Sequence, residues 1–214
     1  DVIRHEMFGK IEGNGADRYR EYIRDIHDSS FHLLSLINDL LDLSKVEAGK
    51  LELAPVNVSL GDIVADVRRM VQQLAYDKDI SLLVDLPDRP LDMFADRRLM
   101  IQVLLNVVSN AIKFTPRGGT VLIGAHVEGQ NLVVTVSDTG RGIAPEELEL
   151  VLEPFQQAGP LETRPSGGTG LGLPLSRSIM ELHGGGLEIE SEVGEGTTVS
   201  IWLTRNVPLL AASA

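Results

Sequence analysis

Residues 22–50 carry two interleaved rows at seven-residue spacing, Ile26, Leu33 and Leu40 in one and Ile23, Ser30, Ile37 and Ser44 in the other. This is the a/d seam of a helix that packs along other helices. Leu34, Leu36, Leu41 and Leu43 widen the apolar stripe beyond what a lone surface helix hides. The segment therefore belongs either to a helical bundle or to the core of one globular domain, and the pattern alone leaves both open. Ahead of it, residues 1–8 read as the tail of another helix that ends at Gly9, with a loop at Gly13, Asn14 and Gly15, so the chain is expected to begin within a helical hairpin.

The character changes after Gly49. Residues 51–58 alternate like a strand but contain Pro55, which suits an edge strand or a linker, and the domain boundary is placed near Ala54. A helical stripe at Leu60, Ile63, Val64, Val67, Val71 and Leu74 precedes a strand at 80–86 and a turn at 87–90. A helix follows at 97–114, stopped by Pro116 and Gly118, then a hairpin of strands at 120–127 and 131–138. Pro145 opens a short acidic helix, 155–168 reads as a loop, a helix spans 170–183, and a hairpin of 187–193 with 197–204 closes the fold. This order predicts an α+β layer rather than a doubly wound parallel sheet. The expected division is a partial hairpin at 1–54, one domain at 55–206 and a short apolar tail at 207–214.

A formal charge of −12 argues against nucleic acid as a partner, and the absence of cysteine excludes disulfides, thiolate metal sites and thiol catalysis. No apolar run approaches the ~20 residues that span a bilayer, so no membrane contact is expected of this stretch.

The helix at 97–114 is apolar nearly all round, yet Asn106, Asn110 and Lys113 fall at i, i+4 and i+7 in one polar stripe. Buried without partners, each polar group would cost several kcal/mol. Either the stripe faces water or it meets a bound polyanion with a metal ion, for carboxamide oxygens ligate Mg²⁺ and an ammonium meets phosphate. Asp138, Gly140 and Gly142 follow a strand directly, with glycines that admit close approach. Gly168, Gly170, Leu171 and Gly172 open a helix whose N-terminal amides attract phosphate, without the lysine of a P-loop or the preceding strand of a dinucleotide fingerprint. Gly194 to Thr197 reads, by itself, as a hairpin turn.

The order of these groups resembles the N, G1, F, G2 and G3 boxes of sensor histidine kinases. Asn106, Asn110, Lys113 and Phe114 come first, followed by Asp138, Gly140, Gly142 and Ile143, then Glu153, Pro154 and Phe155, then Gly168, Gly170 and Gly172, and finally Gly194, Gly196 and Thr197. Residues 32–49 are similar to the second helix of that family's dimerisation and phosphotransfer hairpin. The resemblance implies an α/β sandwich ATP-binding domain, a mixed sheet with helices on one face, preceded by part of that hairpin.

By the same likeness Asp138 accepts a hydrogen bond from the adenine amino group, Ile143 and Phe114 line the base, and Thr197 assists. Asn110 and Asn106 hold Mg²⁺ and Lys113 holds phosphate, with Lys113 and Asn106 the catalytic pair. Gly168, Gly170, Leu171 and Gly172 belong to the phosphate loop, and 144–168 to a segment closing over the phosphates. Relatives that hydrolyse ATP carry a glutamate four residues before the magnesium asparagine; here that position is Asn106, which cannot serve as a base. The implied partners are a second copy of the chain through the hairpin and a response regulator or phosphotransfer protein, in a cytoplasmic setting.

The family's acceptor box is missing. His5 and Glu6 begin one, but Met7, Phe8 and Gly9 do not continue it, and His27, His32, His126 and His183 sit in no such motif. The chain is then either a fragment whose acceptor helix lies upstream of Asp1 or a variant that lacks it. Two functions stay open on the sequence, the ATP-binding core of a histidine kinase and a nucleotide-responsive interaction module.

Overall fold

The computed structural model describes residues 16–158 and 169–204. The expected first helix tail, its loop, His5 and the C-terminal tail lie outside these residues. The long helix α1, Ala16–Glu47, contains the heptad seam. Its two faces do different things. Leu43 is buried, and Leu36 and Val46 pack against the core with it, where α1 meets the last helix of the chain. The seam itself stays open, with Ile26 66% and Ile37 46% exposed and Leu33 and Leu40 likewise uncovered.

The remaining elements are β1 (Val56–Ser59), α2 (Leu60–Asp77), β2 (Ser81–Asp85), β3 (Asp92–Ala95), α3 (Arg97–Phe114), β4 (Thr120–Glu128), β5 (Asn131–Asp138), α4 (Gly172–Leu182), β6 (Gly186–Glu192) and β7 (Gly196–Thr204). Five strands form one sheet in the order β2-β4-β5-β7-β6. β2 runs parallel to β4 and the other pairs are antiparallel, so the sheet is mixed as expected. One face carries Val121, Ile123, Val134, Val136, Val199 and Ile201 into a common core with the buried sides of α2, α3 and α4. This alternation is the period-two signature of a sheet covered on one side.

Four local expectations are corrected. The strand at 51–58 begins only at Val56, because Pro55 has no N–H to pair; Leu51 and Leu53 instead lie half-buried against the core. β3 was not anticipated: it pairs antiparallel with β1 through Val56 to Ser59, and four residues beside a proline turn are too few to display alternation. The acidic helix after Pro145 is two short 3₁₀ turns, Pro145–Glu147 and Leu150–Leu152. α4 starts at Gly172 rather than Gly170, whose φ of +69° is not helical.

Asp96 ties the linker to this body. One carboxylate oxygen accepts from the Arg98 and Leu99 N–H groups at 3.0 and 3.2 Å and so caps α3, and the other accepts from Ala54 N–H at 3.1 Å. Its own N–H donates to His183 Nε2 at 3.1 Å, while His183 Nδ1 lies 2.8 Å from the Ile179 carbonyl, so Nδ1 carries the proton. His183 thus joins α4 to α3, a role its place beside Gly184 does not announce. Burial works to raise the Asp96 carboxyl, but the N–H groups of Ala54, Leu99 and Arg98, with the Arg98 charge, outweigh it and hold the carboxyl below the usual range. Asp96→Ala is expected to cost about 1 to 2 kcal/mol of stability at neutral pH. A lowered carboxyl contributes stability above its unfolded pKa and loses it as pH falls through the folded one. The gap between the two denaturation midpoints should therefore close in acid, and a gap that persists there would exclude the carboxylate as its source.

Candidate functional site

α3 lies across the sheet with Leu99, Val103, Val107, Val108 and Ile112 buried, so any polar side chain on it must find a partner or an opening. The opening exists. A cavity of about 520 Å³ receives Asn106, Asn110, Lys113 and Phe114 from α3, all of them half-buried. The polar stripe therefore faces a half-open cleft shared with the loop after β5 and the start of α4.

At one end sits Asp138, the last residue of β5, paired in register with Thr197 on β7. Its Oδ1 accepts from Gly140 N–H at 2.7 Å. Burial pushes its carboxyl above the usual range, against the N–H groups of Gly140 and Thr197, which pull it down. Gly140 does not line the cavity; a Cβ there would stand 2.5 Å from Asp138 Oδ1 and 2.9 Å from the Phe114 carbonyl, so glycine lets the loop pass under them. The turn at Gly194 to Thr197 is more than a hairpin connection: a Cβ on Gly196, at φ +127°, would lie 1.9 Å from the Asp138 carbonyl. Gly142 and Ile143 line the same end, with the Ile143 N–H held by Ser191 Oγ at 2.8 Å.

Three cations converge at the C-terminus of α3. Lys113 Nζ and Arg141 Cζ lie 5.4 and 5.0 Å from the Phe114 ring centre, one cation–π contact from each. Lys78 Nζ donates to the carbonyls of Ile112 and Lys113 and caps the C-terminus of α3. Burial, with Arg141 and Lys78 nearby, pushes the Lys113 amine below its ordinary value. An anion in the cavity relieves that repulsion. Sequence reasoning missed Arg141 and Lys78. The first stood unremarked inside the Asp138 glycine motif, while the second leaves no sequence signal, its acceptors being 34 and 35 residues away.

At the other end Asn106 Nδ2 donates to Ser176 Oγ at 3.1 Å, and its carboxamide lies flat against Gly172, where a Cβ would come within 2.4 Å of it. Gly170 and Gly172 line the cavity as α4 begins. Leu171 does not: its side chain is 1% exposed in the core, and its N–H is taken by Thr169 Oγ1 at 3.1 Å, so the expected ligand contact there is corrected. Gly168 lies outside the described residues. Among the described residues Asn110 makes no side-chain hydrogen bond within the protein, and no cluster of three or more acidic, histidine or cysteine side chains offers a protein-only metal cage. A carboxamide oxygen open to a polyanion cavity fits Mg²⁺, which takes few protein ligands and completes its shell with phosphate and water.

A family model described as "Histidine kinase-, DNA gyrase B-, and HSP90-like ATPase" matches residues 95–207, from the end of β3 through β7, the span that supplies most of the cavity lining. The chain belongs to this family. It is 45% identical to the histidine protein kinase DivJ of Caulobacter vibrioides over 100% of its own length, and 45% identical to the non-motile and phage-resistance protein of the same organism over 95%. It spans 35% and 24% of those two relatives, so it corresponds to about a third or a quarter of each. A full-length structure of ShkA in complex with AMPPNP superposes with a TM-score of 0.75, with 30% identity over 90% of this chain and 41% of that one. The ATPase domain is of the histidine-kinase kind, homologous to the catalytic domains of two-component sensor kinases.

Proposed function

We propose that this chain is the phosphoryl-donating core of a two-component sensor histidine kinase, which passes the terminal phosphate of ATP to a histidine on a helix ahead of α1 and from there to an aspartate of a response regulator. The observation that carries it is the cavity that brings together a half-buried carboxylate, an aromatic ring flanked by cations, and a carboxamide pair at a helix start. Asp138 accepts the adenine amino group, while Phe114 and Ile143 hold the ring and Thr197 supports the carboxylate. Lys113 and the first-turn amides of α4 neutralise phosphate charge, which is most of what phosphoryl transfer asks of a protein. Asn110, with Asn106 beside it, would hold Mg²⁺, whose charge would help neutralise the transferring phosphate. Asn106, tied to Ser176, offers no base to activate water, which favours transfer over hydrolysis. The relatives named as histidine kinases favour this enzyme over an interaction module. The chemistry requires an ATP-containing compartment, hence a cytoplasmic placement.

Gly172→Ala tests the phosphate end. The added methyl displaces the Asn106 carboxamide or the start of α4, so ATP affinity by calorimetry should fall about tenfold while adenosine binding is kept. Equal loss for both would place the phosphates elsewhere.

The open seam of α1 carries the second part of the reading, a dimer through Ile26, Leu33, Ile37 and Leu40. Sedimentation should show a concentration-dependent dimer that Ile37→Glu disperses, since a carboxylate in an a/d seam is left without a partner. A monomer at all concentrations would remove the dimer from the proposal.

A further inference from the structure

α1 docks on the ATPase domain through Leu36, Leu43 and Val46, which share one stripe at i, i+7 and i+10. The position that completes this stripe is Asp39, three residues after Leu36 and four before Leu43. A carboxylate within an apolar docking stripe opposes docking unless something answers its charge, and among the described residues Asp39 forms no ion pair or hydrogen bond. Instead it lines the nucleotide cavity. Gln102 Nε2 donates to Asp42 Oδ2 at 3.5 Å, a contact that ties this part of α1 to α3, and Asp39 and Asn106 both line the cavity. Gly172 and Pro174 line it with them. Asp39 and Asp138 are the two carboxylates among the described residues that line the cavity, and Asp138 is assigned to the base, so Asp39 is the one that phosphates held by Lys113 would meet.

We propose that Asp39 is a specificity residue that α1 contributes to the nucleotide site, its carboxylate opposing the outermost phosphate so that docked α1 favours nucleotides with fewer phosphates and ATP displaces α1 from the domain. The inference rests on the nucleotide reading of the cavity. It makes α1 a sensor of phosphate number: the diphosphate product coexists with the docked helix, and the triphosphate substrate drives it off. The two equilibria are linked, so docked α1 lowers triphosphate affinity by the same factor by which the triphosphate weakens docking, and removing the carboxylate removes that coupling.

The test is calorimetry on the whole chain and Asp39→Asn with ATP, ADP and adenosine, each with and without magnesium. Asp39→Asn should gain roughly tenfold affinity for ATP, as removal of one charge at partly screened range implies, less for ADP and none for adenosine. The chain has no cysteine, so Ser44→Cys with Arg177→Cys takes two spin labels, one on α1 and one on α4, both at exposed positions. The distance between them should lengthen on adding ATP to the chain with Asp39, and stay the same when ATP is added to Asp39→Asn or ADP to either. Equal gains for all three ligands, no gain, or unchanged label distances would overturn the proposal. A loss of ATP affinity in Asp39→Asn confined to magnesium would overturn it as well and make the carboxylate a metal ligand. Failure of both proteins to bind ATP or adenosine at all would sink the nucleotide reading itself, and this inference with it.

Discussion

Asp138→Asn is expected to lower nucleotide affinity by ten- to a hundredfold while making the free protein more stable. The first effect follows from charge. A hydrogen bond to an ionised acceptor contributes about 1.5 to 3 kcal/mol, and asparagine offers a weaker carbonyl, or an NH₂ group that meets the adenine amino group donor to donor. The second follows from burial, which drives the Asp138 carboxyl above its ordinary 3.8. A carboxyl whose folded pKa is raised destabilises the fold wherever it is ionised. That cost is full above the folded pKa and vanishes as pH falls through it to the unfolded value. Asparagine never bears the cost, so its thermal midpoint should exceed that of the wild type at neutral pH, and the two should converge in acid. Adenosine and ATP should lose affinity alike, because the contact is with the base. Unchanged affinity, or loss for ATP alone, would remove Asp138 from the base end.

The same opposition of stability and binding runs through the residues that the sequence makes visible. Asn106, Asn110 and Lys113 stand out because α3 is apolar on nearly every other position, so a 3.6-residue period exposes them as exceptions. Asp138 and the glycines after it stand out because they interrupt a strand. What the sequence hides is whatever depends on a partner distant along the chain. Lys78 caps α3 from the end of α2, Arg141 joins Lys113 at the Phe114 ring, and His183 reaches Asp96 across 87 residues. β3 is invisible for a different reason, since its four residues pair with β1 and are too few to carry a period. The docked stripe of α1 was merged with its seam, because Leu36 and Leu43 read simply as a broadening of the apolar face. Only contact with α4 separates the face that packs inward from the one left open.

The largest loss of activity is expected at the phosphate-binding pair. In a longer chain whose additional helix presents a histidine ahead of α1, Lys113→Ala and Asn110→Ala should each lower the rate of acid-labile phosphate formation by about 10²- to 10³-fold, the magnitude seen when one preorganised electrostatic group is removed from a reacting centre. The two should differ in binding. Lys113 is a whole charge whose amine is pushed downward by burial and, less, by Arg141 and Lys78 beside it, and phosphate is the group that reconciles the three. Its loss should therefore weaken ATP binding together with transfer, and should also stabilise the free protein by relieving repulsion. Asn110 is neutral and without a protein hydrogen bond among the described residues, so its loss should leave magnesium-free ATP affinity nearly intact and remove the gain in affinity that magnesium gives. Single-turnover transfer from labelled ATP, run beside calorimetry with and without magnesium, separates the cases. Full transfer by either variant would refute its part in the reaction. Label appearing on the present chain, where His27, His32, His126 and His183 stand in no acceptor motif, would show that phosphate reaches a histidine without one, since in-line attack needs the acceptor about 3 to 3.5 Å from the donor.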